Sequence, residues 1–368
     1  SHGKYLMRLD ADVFLEPEAV EVMSKVLEQD DELGLVFPDY YYVDAEGQRI
    51  GEERRHNFEK EVSLYDQPAH GACTMIRLSF LKELGGYNES FTCQDGYDLW
   101  IKFIMHHKVN NVSSPLFSYR RHGNNLTTNE EKILNTRKKI KELFVEQHLQ
   151  SLPTLAVIPV RNTFIRDINW PLYQIDGKSV LERKVAECSR SKRIKSVVVS
   201  SSDREILNHC QEWSQRYENL HVIERPRTFA QTNESLAKTI EQAVSYVQEQ
   251  GTTLEAVMSV SLEYPFVAAD VMDDAINTLV LFSSDTVLSV RPDNRTYYQH
   301  TGHSLQPILD QDKFTKLERE ALYKGAGGIV VSTLDNFLKH QRLISGKISH
   351  VVVDQKTAFG VFSELDFK

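Results

Sequence analysis

The sequence predicts an α/β protein made of two doubly wound, mainly parallel sheets. Three observations carry this. Short apolar runs recur, such as Leu155-Ala156-Val157-Ile158-Pro159-Val160 and Val197-Val198-Val199, as buried strands do. Stretches with apolar residues at helical spacing lie between them, and strands alternating with helices build parallel sheets with crossover helices. Pro153 then breaks a long charged helix, which places a boundary between Gln150 and Thr154. A chain of 368 residues suits two domains of roughly 100–200 residues each.

In the first half, Tyr5-Leu6-Met7-Arg8-Leu9 has strand character, and Asp10-Ala11-Asp12 follows at its carboxyl end. Pro17 suits the first turn of a helix, where a missing N–H costs nothing. Ala19, Val20, Met23, Val26 and Leu27 then recur at helical spacing. Leu33-Gly34-Leu35-Val36-Phe37 predicts a second strand, and Tyr40 to Val43 a strand entering the turn Asp44-Ala45-Glu46-Gly47. Ala72 to Ile76 predicts another. Leu78 to Leu84 predicts a short helix closed by Gly85-Gly86, since glycine accepts the left-handed backbone that ends helices. Tyr97 to His106 predicts a helix with Leu99, Phe103 and Ile104 on one face. Asn129 to Gln150 predicts a charged amphipathic helix that closes the first domain, 1–150, as a link.

In the second domain, 155–368, the predicted strands are Leu155 to Val160, Ser196 to Ser201, Ala256 to Ser261, Thr286 to Val290, Gly328 to Ser332 and His350 to Val353. Predicted helices cover Val180 to Ser189, Arg204 to Tyr217, Ser235 to Gln250 and Asp270 to Phe282.

Hydrophobic residues make up 41 % and charged residues 26 % of the chain, which excludes a disordered, collagen-like or polytopic membrane protein. The balance of 43 Lys+Arg against 52 Asp+Glu leaves a formal charge of −9. That argues against non-specific binding of nucleic acid or anionic lipid, while leaving room for a local phosphate pocket. No apolar run reaches the roughly 18–20 residues of a membrane span, and no signal-peptide pattern opens the chain. Cys73, Cys93, Cys188 and Cys210 form neither a CxxC pair nor a zinc spacing, so a reducing, cytoplasmic setting is expected.

Two carboxylates one residue apart at a strand end can hold a hard divalent cation that keeps open positions for diphosphate oxygens. Alone, Asp10-x-Asp12 is more often a surface turn. Its neighbours change the weighting. Gly3 to Asp12, His70 to Arg77, Leu84-Gly85-Gly86-Tyr87-Asn88-Glu89, Cys93-Gln94-Asp95-Gly96-Tyr97-Asp98-Leu99-Trp100 and Tyr119 to Asn125 together resemble a family-2 glycosyltransferase of the GT-A type, in the family's order.

The resemblance implies roles by position. Asp10 and Asp12 match the family's metal motif, with Asp12 the better candidate ligand, and His122 matches a third ligand near the donor diphosphate. Asp95 matches the general base of an inverting transfer, which takes the acceptor hydroxyl's proton. Arg120 and Arg121 match positions that contact donor phosphates, which guanidinium pairs with well. Gln94 stands where the family has Glu, and Gly96 is an extra residue, so Asp98 stays open as an alternative base. The family's opening nucleotide-binding strands have no counterpart before Gly3. The first domain is therefore expected to be the later part of a transferase, with weak or absent activity by itself.

Residues 155–368 resemble the cytidylyltransferases that activate acidic sugars as CMP-sugars. The resemblance rests on Ile158-Pro159-Val160-Arg161, Val197 to Ile206, Glu224-Arg225-Pro226 and Ser363-Glu364-Leu365-Asp366-Phe367. It implies Arg161 and Arg166 as triphosphate contacts, Glu263 as an acid near a metal, and Asp366 as a further nucleotide-side residue. The family's loop Ser and Lys are absent. Its late acid pair falls on Gly360 and Phe362, and its Asn-Gly-Ala run on Ala326-Gly327-Gly328. The domain is thus expected to be non-catalytic.

The resemblances together imply two Rossmann-like units in a metal-dependent glycosyltransferase of surface polysaccharide assembly. Expected partners are Mg²⁺ or Mn²⁺, a nucleotide-sugar donor, a glycan acceptor, CTP or a CMP-sugar in the second domain, and a second copy of the chain. Two alternatives stay open: an active CMP-sugar cytidylyltransferase, and a non-enzymatic scaffold.

Overall fold

The computed structural model describes residues 2–53, 73–120, 130–150, 152–161, 163–230, 234–293, 297–308 and 322–367. The chain forms two compact units, Ser1–Ile140 and Lys141–Lys368.

In the first unit, β1 (Tyr5–Met7) and β2 (Val13–Leu15) precede α1 (Ala19–Gln29), β3 (Leu33–Val43) and β4 (Arg49–Glu53). Next come β5 (Met75–Arg77), α2 (Leu78–Glu83), α3 (Asp95–His106), β6 (Lys108–Arg120) and α4 (Glu130–His148). The sheet order is β1-β5-β3-β6-β2, with β4 on β3. β3 and β6 pair in parallel, and β1–β5, β3–β5, β2–β6 and β3–β4 are antiparallel. β1 and β2 stand at opposite ends of this order, so the segment 8–12 passes from one flank of β3 to the other.

Alternation along β3 serves both faces of the sheet, as the pleat requires. Leu35 and Phe37 join Leu99, Trp100 and Phe103 of α3, while Val36 joins Met23 and Leu27 of α1. Gly85 and Gly86 close α2 with φ of 79° and 74°; the Gly86 N–H reaches the Leu81 carbonyl at 2.8 Å. The sequence carried no strand over 108–120, because Asn110, Asn111 and Pro115 interrupt the apolar pattern of β6. Its order comes from β3, a distant segment.

The division between the units falls inside α4, ahead of the break expected at Pro153. Lys141 explains this: its ammonium is buried against Asp274 at 2.7 Å and Thr278 at 2.9 Å.

The second unit opens with β7 (Thr154–Val160), the small hairpins β8 (Phe164–Ile165) with β9 (Ile168–Asn169) and β10 (Gln174–Ile175) with β11 (Lys178–Ser179), and α5 (Val180–Arg190). It continues through β12 (Ile194–Ser201), α6 (Arg204–Trp213), β13 (Leu220–Glu224), α7 (Ala237–Glu249), β14 (Ala256–Val260) and α8 (Ala269–Leu281). It closes with β15 (Thr286–Asp293), β16 (Tyr298–His300), β17 (Leu305–Pro307), β18 (Leu322–Thr333), α9 (Leu334–His340) and β19 (Ile348–Val352).

The main sheet runs β13-β12-β7-β14-β18-β15-β19. Four pairings are parallel, and β18 lies antiparallel to both neighbours. Helices cover both faces, which is the doubly wound arrangement the sequence predicts. Ala156, Ile158 and Val160 of β7 face α5 and α8, and Leu155 and Val157 face α7 and α9. Among the described residues, no helix is long and apolar enough to cross a membrane.

Candidate functional site

In the first unit, the Asp-x-Asp motif is a turn held at both ends. The Cys73 N–H donates to the Arg8 carbonyl at 2.9 Å, one residue out of the β1–β5 register. The Val13 N–H donates to the Asp10 carbonyl at 3.2 Å, and the Arg120 N–H to the Asp12 carbonyl at 2.8 Å. The Arg8 side chain leaves this turn with two carboxylates in hand. Its Nε donates to Asp10 Oδ1 at 2.8 Å, and its Nη1 to the Asp95 carboxylate.

Asp95 begins α3, where unpaired N–H groups favour an anion. Gln94 ahead of it adopts the left-handed conformation, φ 60°, and its side-chain oxygen accepts from Arg137 Nε at 2.8 Å. Burial pushes the Tyr87 phenol up; Arg8 opposes this, and Asp95 and Asp10 add to it, so this ring lies in the field of all three. Burial and the Asp10 charge push the Cys73 thiol up to about 12, which leaves it unreactive.

Asp98 is placed differently: it is buried, and it pairs with Lys102 Nζ at 2.7 Å one turn along. Of the two candidate acids, Asp95 is the one linked through Arg8 to the Asp10-x-Asp12 turn. Arg120 ends β6, and its buried Nε has no hydrogen-bond acceptor among the described residues. Arg121 and His122 lie outside the described residues, as do His70, Gly71 and Ala72. Arg8 itself was not singled out from the sequence. Its signal was a lone cation inside an apolar strand.

The donor set fits a hard cation. Asp10 and Asp12 offer carboxylate oxygens, the ligands Mg²⁺ and Mn²⁺ prefer. No three His, Cys, Asp or Glu side chains form a cage among the described residues. One or two carboxylates plus substrate phosphates is the usual pattern for Mg²⁺.

In the second unit, the loop after β7 folds as the β8–β9 hairpin. Arg166 sits in its turn at φ 53° and pairs with Glu364. Asp366 Oδ2 accepts from the Phe362 and Ser363 N–H groups at 2.9 and 2.7 Å and from Ser363 Oγ at 3.0 Å. Those backbone bonds hold its carboxyl below the usual range. Both residues thus tie the last turn of the chain in place.

Glu263 follows β14, and its carboxylate accepts from Ser261 Oγ. Its carbonyl accepts from the Val361 N–H at 2.7 Å, which brings the Gly360–Phe362 stretch alongside. Phe362 stands edge-on to Tyr264 at 5.6 Å. Gly328 is required here: at φ 62°, a Cβ would lie 2.6 Å from Ser261 Cβ and 2.7 Å from Tyr264 Cδ2. Aromatic rings therefore occupy the surroundings of Glu263.

Basic groups gather instead at the ends of β7, β12 and β13. Arg225 is buried; its Nη2 donates to the Val160 carbonyl at 3.0 Å and its Nη1 to Thr239 Oγ1 at 3.4 Å. Its Nε has no acceptor among the described residues. Burial lowers its pKa, and the nearby Arg161 charge lowers it further. A cavity of about 530 Å³ opens here, lined by Ser202, Arg204, Glu224, Arg225, Arg227 and Gln242 among others, with Arg204 paired to Glu224 at 3.4 Å. A concave site with three arginines against one carboxylate suits an anionic ligand. Lys184 is a further buried cation of the second unit. Its ammonium is enclosed with no hydrogen-bond partner among the described residues, and burial pulls it down to about 7 against the opposing charges of Cys188, Glu187 and Glu263.

No family model matches the chain. A stretch of 125 residues, 33 % of the chain, is 29 % identical to an uncharacterized glycosyltransferase of Methanocaldococcus jannaschii. The match spans 43 % of that relative's length. Solved structures with some likeness include the 4-diphosphocytidyl-2C-methyl-D-erythritol synthase of Anaerococcus prevotii (TM-score 0.42, 12 % identity, 59 % of this chain and 95 % of that one). A CMP:2-keto-3-deoxy-manno-octonic acid synthetase solved with CTP gives a TM-score of 0.40 at 12 % identity, covering 55 % of this chain and 90 % of that one.

Proposed function

We propose that the chain is the later part of a metal-dependent, inverting glycosyltransferase joined to a cytidylyltransferase-like domain that binds a nucleotide without turning it over. The observation that carries this is the Arg8 bridge, which sets Asp95 beside the Asp10-x-Asp12 turn. The sequence similarity to a glycosyltransferase supports it.

Asp95 takes the proton of the acceptor hydroxyl as the anomeric carbon is attacked. Asp10 and Asp12, with His122, would hold Mg²⁺ or Mn²⁺, which when bound offsets charge on the departing nucleoside diphosphate. Arg120 and Arg121 bind its phosphate oxygens. The test is transfer from nucleotide sugars by the full-length protein. Asp12→Ala and Asp95→Asn are each expected to lower turnover at least about a hundredfold. Full activity of Asp95→Asn would move the base to Asp98 or elsewhere.

A second reading, an active CMP-sugar cytidylyltransferase, draws on the Arg225 cavity. Arg161 beside it would contact phosphate, whereas Arg166 and Asp366 are engaged by Glu364 and the backbone. Gly360 and Phe362 offer no oxygen ligand where that chemistry needs an acid pair. Calorimetry with CTP and Mg²⁺, followed by a pyrophosphate-release assay with acidic sugars, separates the two. Binding without release fits the first reading, and turnover fits the second.

A further inference from the structure

We infer that Arg8 is a resident counter-cation of the metal motif: a divalent cation entering at Asp10 and Asp12 displaces the guanidinium from Asp10, and Arg8 stays on Asp95. The inference rests on the metal-dependent reading above and deepens it.

Arg8 and Asp95 are 87 positions apart, yet one guanidinium spans Asp10 and Asp95 from two different edges. Arginine can do this because its donors are fixed in a planar fork. Without that cation, Asp10 and Asp95 would lose the guanidinium they share. The three side chains are partly open to water, 39 % for Arg8, 37 % for Asp10 and 31 % for Asp95. Ion pairs that open are weak enough to exchange.

A divalent cation on Asp10 places two further positive charges against the guanidinium, so the Asp10 contact is the one that breaks. The Asp95 contact lies at the first turn of α3 and uses Nη1, a different nitrogen from the Nε that meets Asp10. Arg8 is thus a positioning residue. It keeps Asp95 next to the motif whether or not the metal is bound, and it makes metal affinity depend on its own removal from Asp10.

The test is Mn²⁺ titration of the full chain at low salt, with free Mn²⁺ read by electron paramagnetic resonance. Asp12→Ala is expected to weaken binding at least about tenfold, as loss of a carboxylate ligand does. Arg8→Met is expected to tighten it about tenfold, because a charge-assisted hydrogen bond no longer competes. Arg8→Lys is expected to tighten it about threefold, since one ammonium cannot hold both acids at once. Lys4 lies on the same stretch but is held by Glu28 at 2.6 Å. Lys4→Met removes the same charge, and its Kd should stay within about twofold of wild type.

An unchanged or weaker Kd in Arg8→Met, with Asp12→Ala still impaired, overturns the counter-cation role alone. An equal shift in Lys4→Met also overturns it, because the effect would then be net charge. Unaltered binding in Asp12→Ala overturns the metal reading and this inference together. Should Arg8→Met fail to fold, Arg8→Lys decides, and a wild-type Kd there refutes the role.

Discussion

Lys184→Met is expected to stabilise the second unit, and the gain should fade as pH rises. Lys184 lies on the inner face of α5 among Val180, Leu181, Val185 and Cys188, fully enclosed. Burial lowers its pKa from 10.5 to about 7. At about 1.4 kcal/mol per pH unit, that lowering corresponds to roughly 4–5 kcal/mol of lost stability at pH 7. The sign follows from proton counting. Below about pH 7 both folded and unfolded chains carry the proton, so the full cost is present and flat. Between about 7 and 10.5 the unfolded chain holds more protons, so stability rises with pH. Above that range both states are neutral and the cost is gone.

Methionine fills similar volume without a charge, so the variant should gain up to about 4 kcal/mol at pH 7, with the gain falling towards zero near pH 10.5. Urea unfolding at several pH values is the assay, with Trp170 and Trp213 fluorescence reporting the second unit. A loss of stability in the variant, or a gain that does not shrink with pH, would refute the reasoning.

Other expectations concern two buried cations that have partners, Arg77 and Lys141. The Arg77 guanidinium donates to the carbonyls of Leu27 at 2.7 Å, Leu33 at 3.1 Å and Asp30 at 3.2 Å, closing the end of α1. Arg77→Met leaves those carbonyls short of donors and should cost about 2–4 kcal/mol, read as a lower melting temperature by circular dichroism. Lys141→Ala strands the buried Asp274 carboxylate and should cost about 3–5 kcal/mol. Lys141→Ala with Asp274→Ala should recover part of that loss in the same unfolding assay, because no unpaired charge remains.

Much of the second unit was legible in the sequence. α5, α6, α7 and α8 carry apolar residues at helical spacing, and β7, β12 and β14 each hold an apolar run at their centre. Each signal is local, so it survives reading without a partner strand. β6 was not legible, since Asn110, Asn111 and Pro115 break its pattern and β3 supplies its pairing. The antiparallel course of β18 was hidden for a related reason: a strand's residues do not encode the direction of its neighbours. The candidate acids were legible as a motif, but Asp95 and Asp98 could not be told apart. Three positions apart on a helix, the two acids share a face; what separates them is depth, since Asp95 opens α3 and meets Arg8 while Asp98, a turn further in, is buried with Lys102.

Composition and periodicity alone determine the α/β class, the acidic surface and the positions of the apolar strands, because these depend on neighbours a few residues apart. Only the tertiary structure decides which charges meet. It joins Arg8 to Asp95 across 87 positions, commits Arg166 to Glu364, and encloses the Lys184 ammonium with no hydrogen bond among the described residues. Those pairings depend on chain segments brought together by packing, and a linear pattern carries no record of that contact.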